Sequence, residues 1–298
     1  MSLSDTCRIV NGTMSGPDAH FSSVSINTRS LQRGDLFVAI AGEHFDAHDF
    51  LDVAAEKGAV GAIIGRQVRS ELPTIRVKDT RLALGRLARE WRKSCSGPVI
   101  GVTGSNGKTT VKEMIASILG LNGRVLFTQG NMNNEIGVPL TLLRLGRDDQ
   151  YAVVEMGANH SGEIAYSSSL AEPDVAVLTN AGSAHLEGFC SLQGVARAKG
   201  ELVASLSGEG VAVLNVDDRF FEYWRGLAGS ARVLSFGLGS GADIRATDIE
   251  MTWTPVGVEN RFNLHTGGTR RSIRLQVAGT HNVCNALAAA AAAQAVGI

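Results

Sequence analysis

Val99-Ile100-Gly101-Val102-Thr103-Gly104-Ser105-Asn106-Gly107-Lys108-Thr109-Thr110 decides how the rest of the chain is read. Val99–Val102 is a short apolar run and predicts a buried strand. From Lys108 to Leu121 the residues Val111, Met114, Ile115, Ile118 and Leu119 share one helical face, which predicts a helix. Between the two lies a glycine-rich turn, and a strand and a helix on either side are the context in which such a turn binds phosphate. Glycines let backbone N–H groups close around phosphate oxygens, and the helix N-terminus adds partial positive charge. Lys108 has the reach to meet β- and γ-phosphates, and the Thr109 hydroxyl can ligate Mg²⁺. Gly104, Ser105, Asn106, Gly107 and Thr110 complete the cradle. The strict pattern G-x-x-x-x-G-K-(S/T) has glycine where this chain has Val102, so the loop is a variant. An ordinary glycine-rich turn is the bland alternative, and it leaves Gly-Lys-Thr-Thr at a helix start without explanation.

Downstream, Tyr151–Val154, Val175–Thr179 and Val211–Asn215 are further short apolar runs, with a helical stretch at Gln193–Leu206. Short uninterrupted strands alternating with helices predict a mostly parallel sheet covered on both faces. After Arg232, Ile244–Trp253, Glu259–His265 and Ser272–Val277 partly alternate and predict an antiparallel β extension, followed by a helix near His281. Upstream, Ser94-Cys95-Ser96-Gly97-Pro98 breaks the chain. It follows an amphipathic helix over Arg81–Lys93, in which Leu84, Leu87, Ala88 and Trp91 share a face. Before that, Asp35–Ile40 and Ala59–Gly65 read as strands on either side of helical Phe50–Lys57. The expected class is α/β. A small N-terminal α/β domain spans residues 1–80, a linker helix 81–97, and a central P-loop ATPase-like domain 98–298.

The chain has 298 residues, 44% hydrophobic and 19% charged, with a net charge of −1. That balance suits a folded globular protein and gives no overall basic field to draw in nucleic acid. Cys7, Cys95, Cys190 and Cys284 are widely spaced, so neither a zinc site nor a disulfide framework is suggested. Met1 to Asn11 contains Asp5 and lacks an apolar core, so no signal peptide is read there. The sequence has no run of about 18 apolar residues, the length a membrane-inserted helix needs. The expectation is a cytoplasmic protein.

The phosphate loop does not stand alone. Thr103–Thr110 resembles the loop of the Mur ligases and of their relative folylpolyglutamate synthetase. Gly130-Asn131-Met132-Asn133-Asn134-Glu135-Ile136-Gly137-Val138-Pro139-Leu140-Thr141-Leu142-Leu143 and Glu155-Met156-Gly157-Ala158-Asn159-His160 make the likeness closer. Ala184-His185-Leu186-Glu187-Gly188-Phe189, Ala198-Lys199-Gly200-Glu201 and His281-Asn282-Val283-Cys284-Asn285-Ala286 continue it in the family's order. Gly34-Asp35-Leu36-Phe37-Val38-Ala39 and the segment from Gly42 to Phe50 extend it to the N-terminal part. The chain is similar to the Mur ligase family over essentially its whole length. It is most like the members that join D-alanyl-D-alanine to UDP-N-acetylmuramoyl-tripeptide. The ligase acting one step earlier, which adds the third peptide residue, shares the N-terminal pattern more loosely.

What the resemblance implies is an ATP- and Mg²⁺-dependent amide ligase of peptidoglycan precursor synthesis. ATP phosphorylates the tripeptide carboxylate, and the dipeptide amine displaces phosphate from the acyl phosphate. In that reading Lys108, Glu155, His185 and Lys199 are catalytic, and Thr109, Glu155, His185 and Lys199 hold the metal, Lys199 after carboxylation by CO₂. Without the resemblance a helical lysine is ordinarily solvated surface, and a lone histidine is usually structural. Asn133 and Asn134 line the site between nucleotide and substrate, or cap the next helix. His281, Asn282 and Asn285 lie on the adenine side, where an asparagine can also cap the helix. Asn27, Thr28 and Arg29, with asparagine in place of the family's usual aspartate, are expected near the uridine, as are Phe45 and His48 on the substrate. A monomer is expected. Family members carry a third domain that supplies the D-alanyl-D-alanine site, and its D-x-Y-N-A-N-P segment is not among these residues. The chain is therefore expected to be a fragment of a complete ligase, the alternative being a nucleotide- and UDP-sugar-binding module without turnover.

Overall fold

A computed structural model describes residues 1–42, 45–182, 189–255 and 257–298. The chain divides into two compact units. One is Met1–Cys95 with Glu135–Leu145, and the other is Ser96–Asn134 with Gly146–Ile298.

The first unit is built on a five-stranded sheet. Its strands are β1 (Thr13–Ser15), β2 (Ser23–Ser25), β3 (Asp35–Val38), β4 (Gly61–Ile64) and β5 (Thr74–Arg76), in the order β1-β5-β4-β3-β2. All neighbours are parallel except β1 and β5. Strands β3 and β4 are buried along their whole length, as strands inside a parallel sheet should be, and apart from Asp35 at the start of β3 they carry no polar side chain. Helix α1 (Leu3–Val10) starts at Ser2, whose hydroxyl accepts the Asp5 amide at 3.0 Å, an N-cap that the sequence reading does not assign. Helices α2 (Leu51–Glu56) and α3 (Thr80–Lys93) follow. The reading of 81–97 as a linker needs correction. Ala83, Leu84 and Leu87 of α3 are buried in the same core as Leu3, Leu36, Val38, Ile63 and Ile75. The helix belongs to this unit because its apolar face has nowhere else to be buried. Helix α5 (Gly137–Leu142) joins it from much later in the chain. Ile136, Leu140 and Leu143 pack on that core, and Trp91 Nε1 donates to the Leu145 carbonyl at 2.9 Å.

The second unit is organised by a nine-stranded sheet. Its strands are β6 (Val99–Thr103), β7 (Val125–Phe127), β8 (Tyr151–Glu155), β9 (Val175–Leu178), β10 (Val211–Asn215), β11 (Arg232–Gly237), β12 (Ile244–Thr254), β13 (Gly257–Thr266) and β14 (Thr269–Leu275). Their order is β14-β13-β12-β11-β10-β9-β6-β8-β7. From β7 to β12 every neighbour is parallel, while β13 and β14 run antiparallel, as the change of texture predicts. The reading assigns no element to Arg232–Gly237, yet it is a parallel strand whose last four residues are buried. Its polar Arg232 and Ser235 hide the apolar run. Helices α4 (Lys108–Leu119), α6 (Glu163–Ala171), α7 (Leu192–Ala204), α8 (Phe221–Leu227) and α9 (Thr280–Ala295) complete the unit. Helix α9 buries Ala288, Ala289, Ala291, Ala292 and Ala293 with Val283 and Leu287. Its small side chains allow close approach to α4 and the sheet.

Strand β6 has β8 on one side and β9 on the other. The chain leaves β6 towards β7 and β8, then crosses back to β9. The carboxyl end of β6 is thus a topological switch point, where open parallel sheets form their ligand crevice. The loop after β6 is the glycine-rich turn.

Candidate functional site

The turn between β6 and α4 depends on two glycines. Gly104 has φ +147°, and a Cβ there would lie 1.9 Å from Thr179 Oγ1. Gly107, the N-cap of α4, has φ +82°, and a Cβ there would lie 2.4 Å from Asn285 Oδ1. Both positions exclude a side chain by backbone conformation and by space. The end of β9 holds the loop in place. The Ser105 amide donates to the Asn180 carbonyl at 2.9 Å, and the Asn106 amide to Asn180 Oδ1 at 3.0 Å. Thr179 Oγ1 donates to the Asn106 carbonyl at 2.6 Å. The first helical bond of α4 runs from the Val111 amide to the Gly107 carbonyl. The amides of Lys108, Thr109 and Thr110 therefore precede the helical ladder and form the donor set an anion needs.

Lys108 folds back over this turn, its Nζ donating to the Gly104 carbonyl at 2.8 Å and the Ser105 carbonyl at 3.3 Å. Burial pulls its ammonium below the usual lysine range, and Glu155 opposes the shift. Glu155, the last residue of β8, is 2% exposed. Its Oε2 accepts the Thr109 hydroxyl at 3.0 Å, and its Oε1 accepts the Asn133 amide at 2.8 Å. The Glu155 backbone N–H donates to Thr128 Oγ1 at 2.9 Å. Two neutral groups hold a buried carboxylate, and among the described residues no cation pairs with it directly. Such a carboxylate, beside a hydroxyl and a phosphate cradle, is a donor set for a hard divalent cation. The fold thus brings Glu155, Thr109 and Asn133 together at one place. Asn134 is exposed.

Lys199 departs from the usual solvated helical lysine. It is 2% exposed on α7, with Nζ 5.6 Å from the centre of the Phe189 ring. Burial, and then the positive charge of Lys108, depress its pKa to about 8, while Glu163 and Glu201 pull the other way. The amine is therefore much closer to neutral than an exposed lysine, as reaction with CO₂ requires. Glu201 also anchors the start of α6, accepting from Ser161 Oγ and from the amides of Gly162 and Ala165. His185 lies outside the described residues.

A cleft of about 680 Å³ runs from the phosphate loop along the start of α9. Asn106, Gly107 and Thr110 line it from one side and His281, Asn282 and Asn285 from the other, joining residues about 170 positions apart in a pocket of ligand-binding size. Asn282 Nδ2 donates to the Ala278 carbonyl at 2.8 Å, and Asn285 Nδ2 to Asn282 Oδ1 at 3.1 Å. The sequence reading misses Thr179, Asn180, Asn215 and Phe236 on the same cleft. For the three polar residues the signal is positional, since they close β9 and β10 at the carboxyl edge of the sheet; Phe236 lies in β11 and carries no such signal.

In the first unit, Asn27 Oδ1 accepts the Arg29 amide at 2.9 Å, a turn that aspartate would make equally well. Lys57 Nζ donates to the Thr28 carbonyl at 2.7 Å. Phe45 is 56% exposed and stacks on Phe50 with ring centres 4.9 Å apart. His48 needs correction as a substrate contact. Its side chain is 4% exposed, Nδ1 lies 2.5 Å from Asp46 Oδ1, and Nε2 accepts the Gly65 amide at 2.8 Å. Both ring nitrogens are used internally, so His48 braces the sheet and has no ring nitrogen left for a ligand.

Comparison with known proteins bears on the family. The Mur ligase middle domain model matches residues 102–293, and the Mur ligase family catalytic domain model matches residues 20–92. The UDP-N-acetylmuramoyl-tripeptide–D-alanyl-D-alanine ligase of Escherichia coli (strain K12) is 46% identical over 100% of this chain and 65% of its own length. That of Bacillus subtilis (strain 168) is 36% identical over 99% of this chain and 64% of its own. MurF from Acinetobacter baumannii superposes with a TM-score of 0.91 at 40% identity, covering 99% of this chain and 65% of that one. MurF ligase from Thermotoga maritima in complex with ADP does so with a TM-score of 0.82 at 32% identity, covering 92% and 63%. The chain thus spans about two thirds of the length of these relatives. One family model runs from Val102 in the phosphate-loop strand, past Lys199 and into α9, so the chain belongs to the Mur ligase family.

Proposed function

We propose that this chain is the substrate- and nucleotide-binding part of an ATP-dependent ligase that adds D-alanyl-D-alanine to UDP-N-acetylmuramoyl-tripeptide. The observation that carries the reading is the cluster of Thr109, Glu155 and Asn133 on a phosphate loop, beside Lys108 and the buried Lys199. The names of the relatives supply the substrate class. The first unit, with Asn27, Thr28, Arg29 and Phe45 exposed or half-exposed, takes the UDP end.

Joining a carboxylate to an amine through an acyl phosphate asks the protein mainly for alignment and charge neutralisation. The amides of Lys108, Thr109 and Thr110 hold the nucleotide phosphates. Lys108 exchanges its carbonyl partners for phosphate oxygens. Glu155 and Thr109 would hold Mg²⁺, which would supply positive charge to offset that of the phosphate and the carboxylate. Lys199, once carboxylated, presents an anion next to Lys108 in place of a second cation, relieving the repulsion between them. Asn133 keeps the Glu155 carboxylate turned towards the loop, and His281, Asn282 and Asn285 flank the base.

The test is a calorimetric titration of this chain with UDP-N-acetylmuramoyl-tripeptide and with the dipeptide form, with Mg²⁺ and a non-hydrolysable ATP analogue present. Tighter binding of the tripeptide form is expected. Equal or tighter binding of the dipeptide form would assign the chain to the preceding step instead.

A further inference from the structure

One charged side chain in the second unit has no part in this mechanism, although it is nearly as deeply buried as any residue there. Lys112 is 1% exposed, on the turn of α4 that follows Thr109. Its Nζ donates to the Thr128 carbonyl at 2.7 Å, lies 2.9 Å from Glu113 Oε1, and sits 5.6 Å from the centre of the Phe127 ring. Burying an ammonium costs free energy unless its hydrogen bonds replace water, and a methionine of similar length would fill the same space without that cost. The position of Thr128 explains the lysine. Thr128 is fully buried at the end of β7, and three bonds hold it. Its amide donates to the Val153 carbonyl at 3.0 Å, its hydroxyl accepts the Glu155 amide at 2.9 Å, and its carbonyl accepts Lys112.

Residues Gln129 to Asn134 leave from that point. The segment is tied at its far end by Asn133, whose carbonyl accepts the Gly157 amide at 2.8 Å and whose side chain reaches Glu155. Helix α4 therefore reaches Glu155 twice, directly through Thr109 and indirectly through Lys112 and Thr128. We infer that Lys112 is a positioning residue for the metal site, fixing Thr128 and with it the backbone of Glu155 and the base of the asparagine loop. The inference rests on the nucleotide and Mg²⁺ reading above. It predicts that loss of the ammonium weakens the hold on the cation and leaves the grip of the loop amides on phosphate unchanged.

The experiment measures ADP affinity of the full 298-residue chain by calorimetry, with and without Mg²⁺, alongside thermal unfolding. In Lys112→Met the gain in ADP affinity on adding Mg²⁺ should shrink by about tenfold, the size of one charge-assisted hydrogen bond. Affinity for ADP without Mg²⁺ should not change. Thr128→Val, which removes the hydroxyl that accepts the Glu155 amide, should show the same selective loss, and it decides the matter alone if Lys112→Met does not fold. Folded variants that keep the full Mg²⁺ gain, or that lose ADP equally with and without Mg²⁺, would reduce Lys112 to a packing residue and overturn the inference. A wild-type chain that binds ADP with no Mg²⁺ gain would instead bring down the metal reading itself, and this inference with it.

Discussion

Gly104 shows how sharply a single residue can set the site. Its φ of +147°, and the 1.9 Å that would separate a Cβ there from Thr179 Oγ1, leave alanine no place. Gly104→Ala must push Thr179 away from the Asn106 carbonyl and open the turn. A loss of about tenfold or more in ADP affinity is expected by calorimetry, with the far-ultraviolet spectrum unchanged. Lys199 gives a prediction in pH. Its folded-state pKa is depressed to about 8, chiefly by burial, against 10.5 for the free side chain. Between those values the unfolded chain binds a proton that the folded chain does not, so stability rises with pH through that window, and below it the full penalty applies. The Tm of the wild type minus that of Lys199→Met should climb from about pH 8 to about pH 10.5 in CO₂-free buffer. A flat difference would show that the amine is not desolvated. At this scale the phosphate loop is legible in the sequence because its chemistry is local. Glycine, lysine and threonine in one turn suffice. The role of His48 is not legible, because Asp46 lies nearby in the chain but Gly65 is brought to the ring by the fold, and a histidine looks the same in sequence whether braced or free. Lys112 escapes notice because a helical lysine reads as solvated, and only its contact with Thr128 reveals otherwise.

The elements behind the site are packed with little tolerance. Helix α7, which carries Lys199, lies against α8 through Gly200. A Cβ at Gly200 would stand 2.6 Å from Leu227 Cδ1 and 3.3 Å from Trp224 Cδ1. Trp224 is fully buried and ties the pair by donating Nε1 to the Ala196 carbonyl at 2.9 Å. Gly200→Val should force the two helices apart at a cost of about 1–3 kcal/mol, read as a lower urea midpoint with an unchanged slope. Strands β6, β8, β9 and β10 are legible because burial on both faces makes them short apolar runs. Helix α5 is legible only as the helix that Asn133 and Asn134 precede; its bounds are hidden by Gly137 and Pro139, which read as breakers, although Pro139 sits within its first turn where a missing N–H is tolerated. Helix α8 is hidden by its length of seven residues and its single buried anchor, Trp224.

For the whole molecule, the division into two units does not follow the chain. The first unit takes Met1–Cys95 and then Glu135–Leu145, with the first part of the second unit between them. A boundary at Ser94–Pro98 is legible from its composition, but the return is not, because nothing local marks residues 135–145 as belonging to an earlier core. The packing of Ile136, Leu140 and Leu143 on that core gives a test. Residues 1–95 produced alone should expose the part of that core which Ile136, Leu140 and Leu143 cover, and aggregate or bind a hydrophobic dye. Addition of residues 135–145 by a short linker should restore a cooperative melting transition. An equally stable 1–95 would show that α5 is dispensable. The same arrangement bears on how the protein is made. A ribosome delivers the chain from the N-terminus, and the first unit is still open along one side when the phosphate loop emerges. It can close only after Leu145 has left the exit tunnel. For some fifty residues of synthesis, from Cys95 to Leu145, the nascent chain carries an unfinished core. That interval is when a chaperone acting on new chains would find its apolar surface.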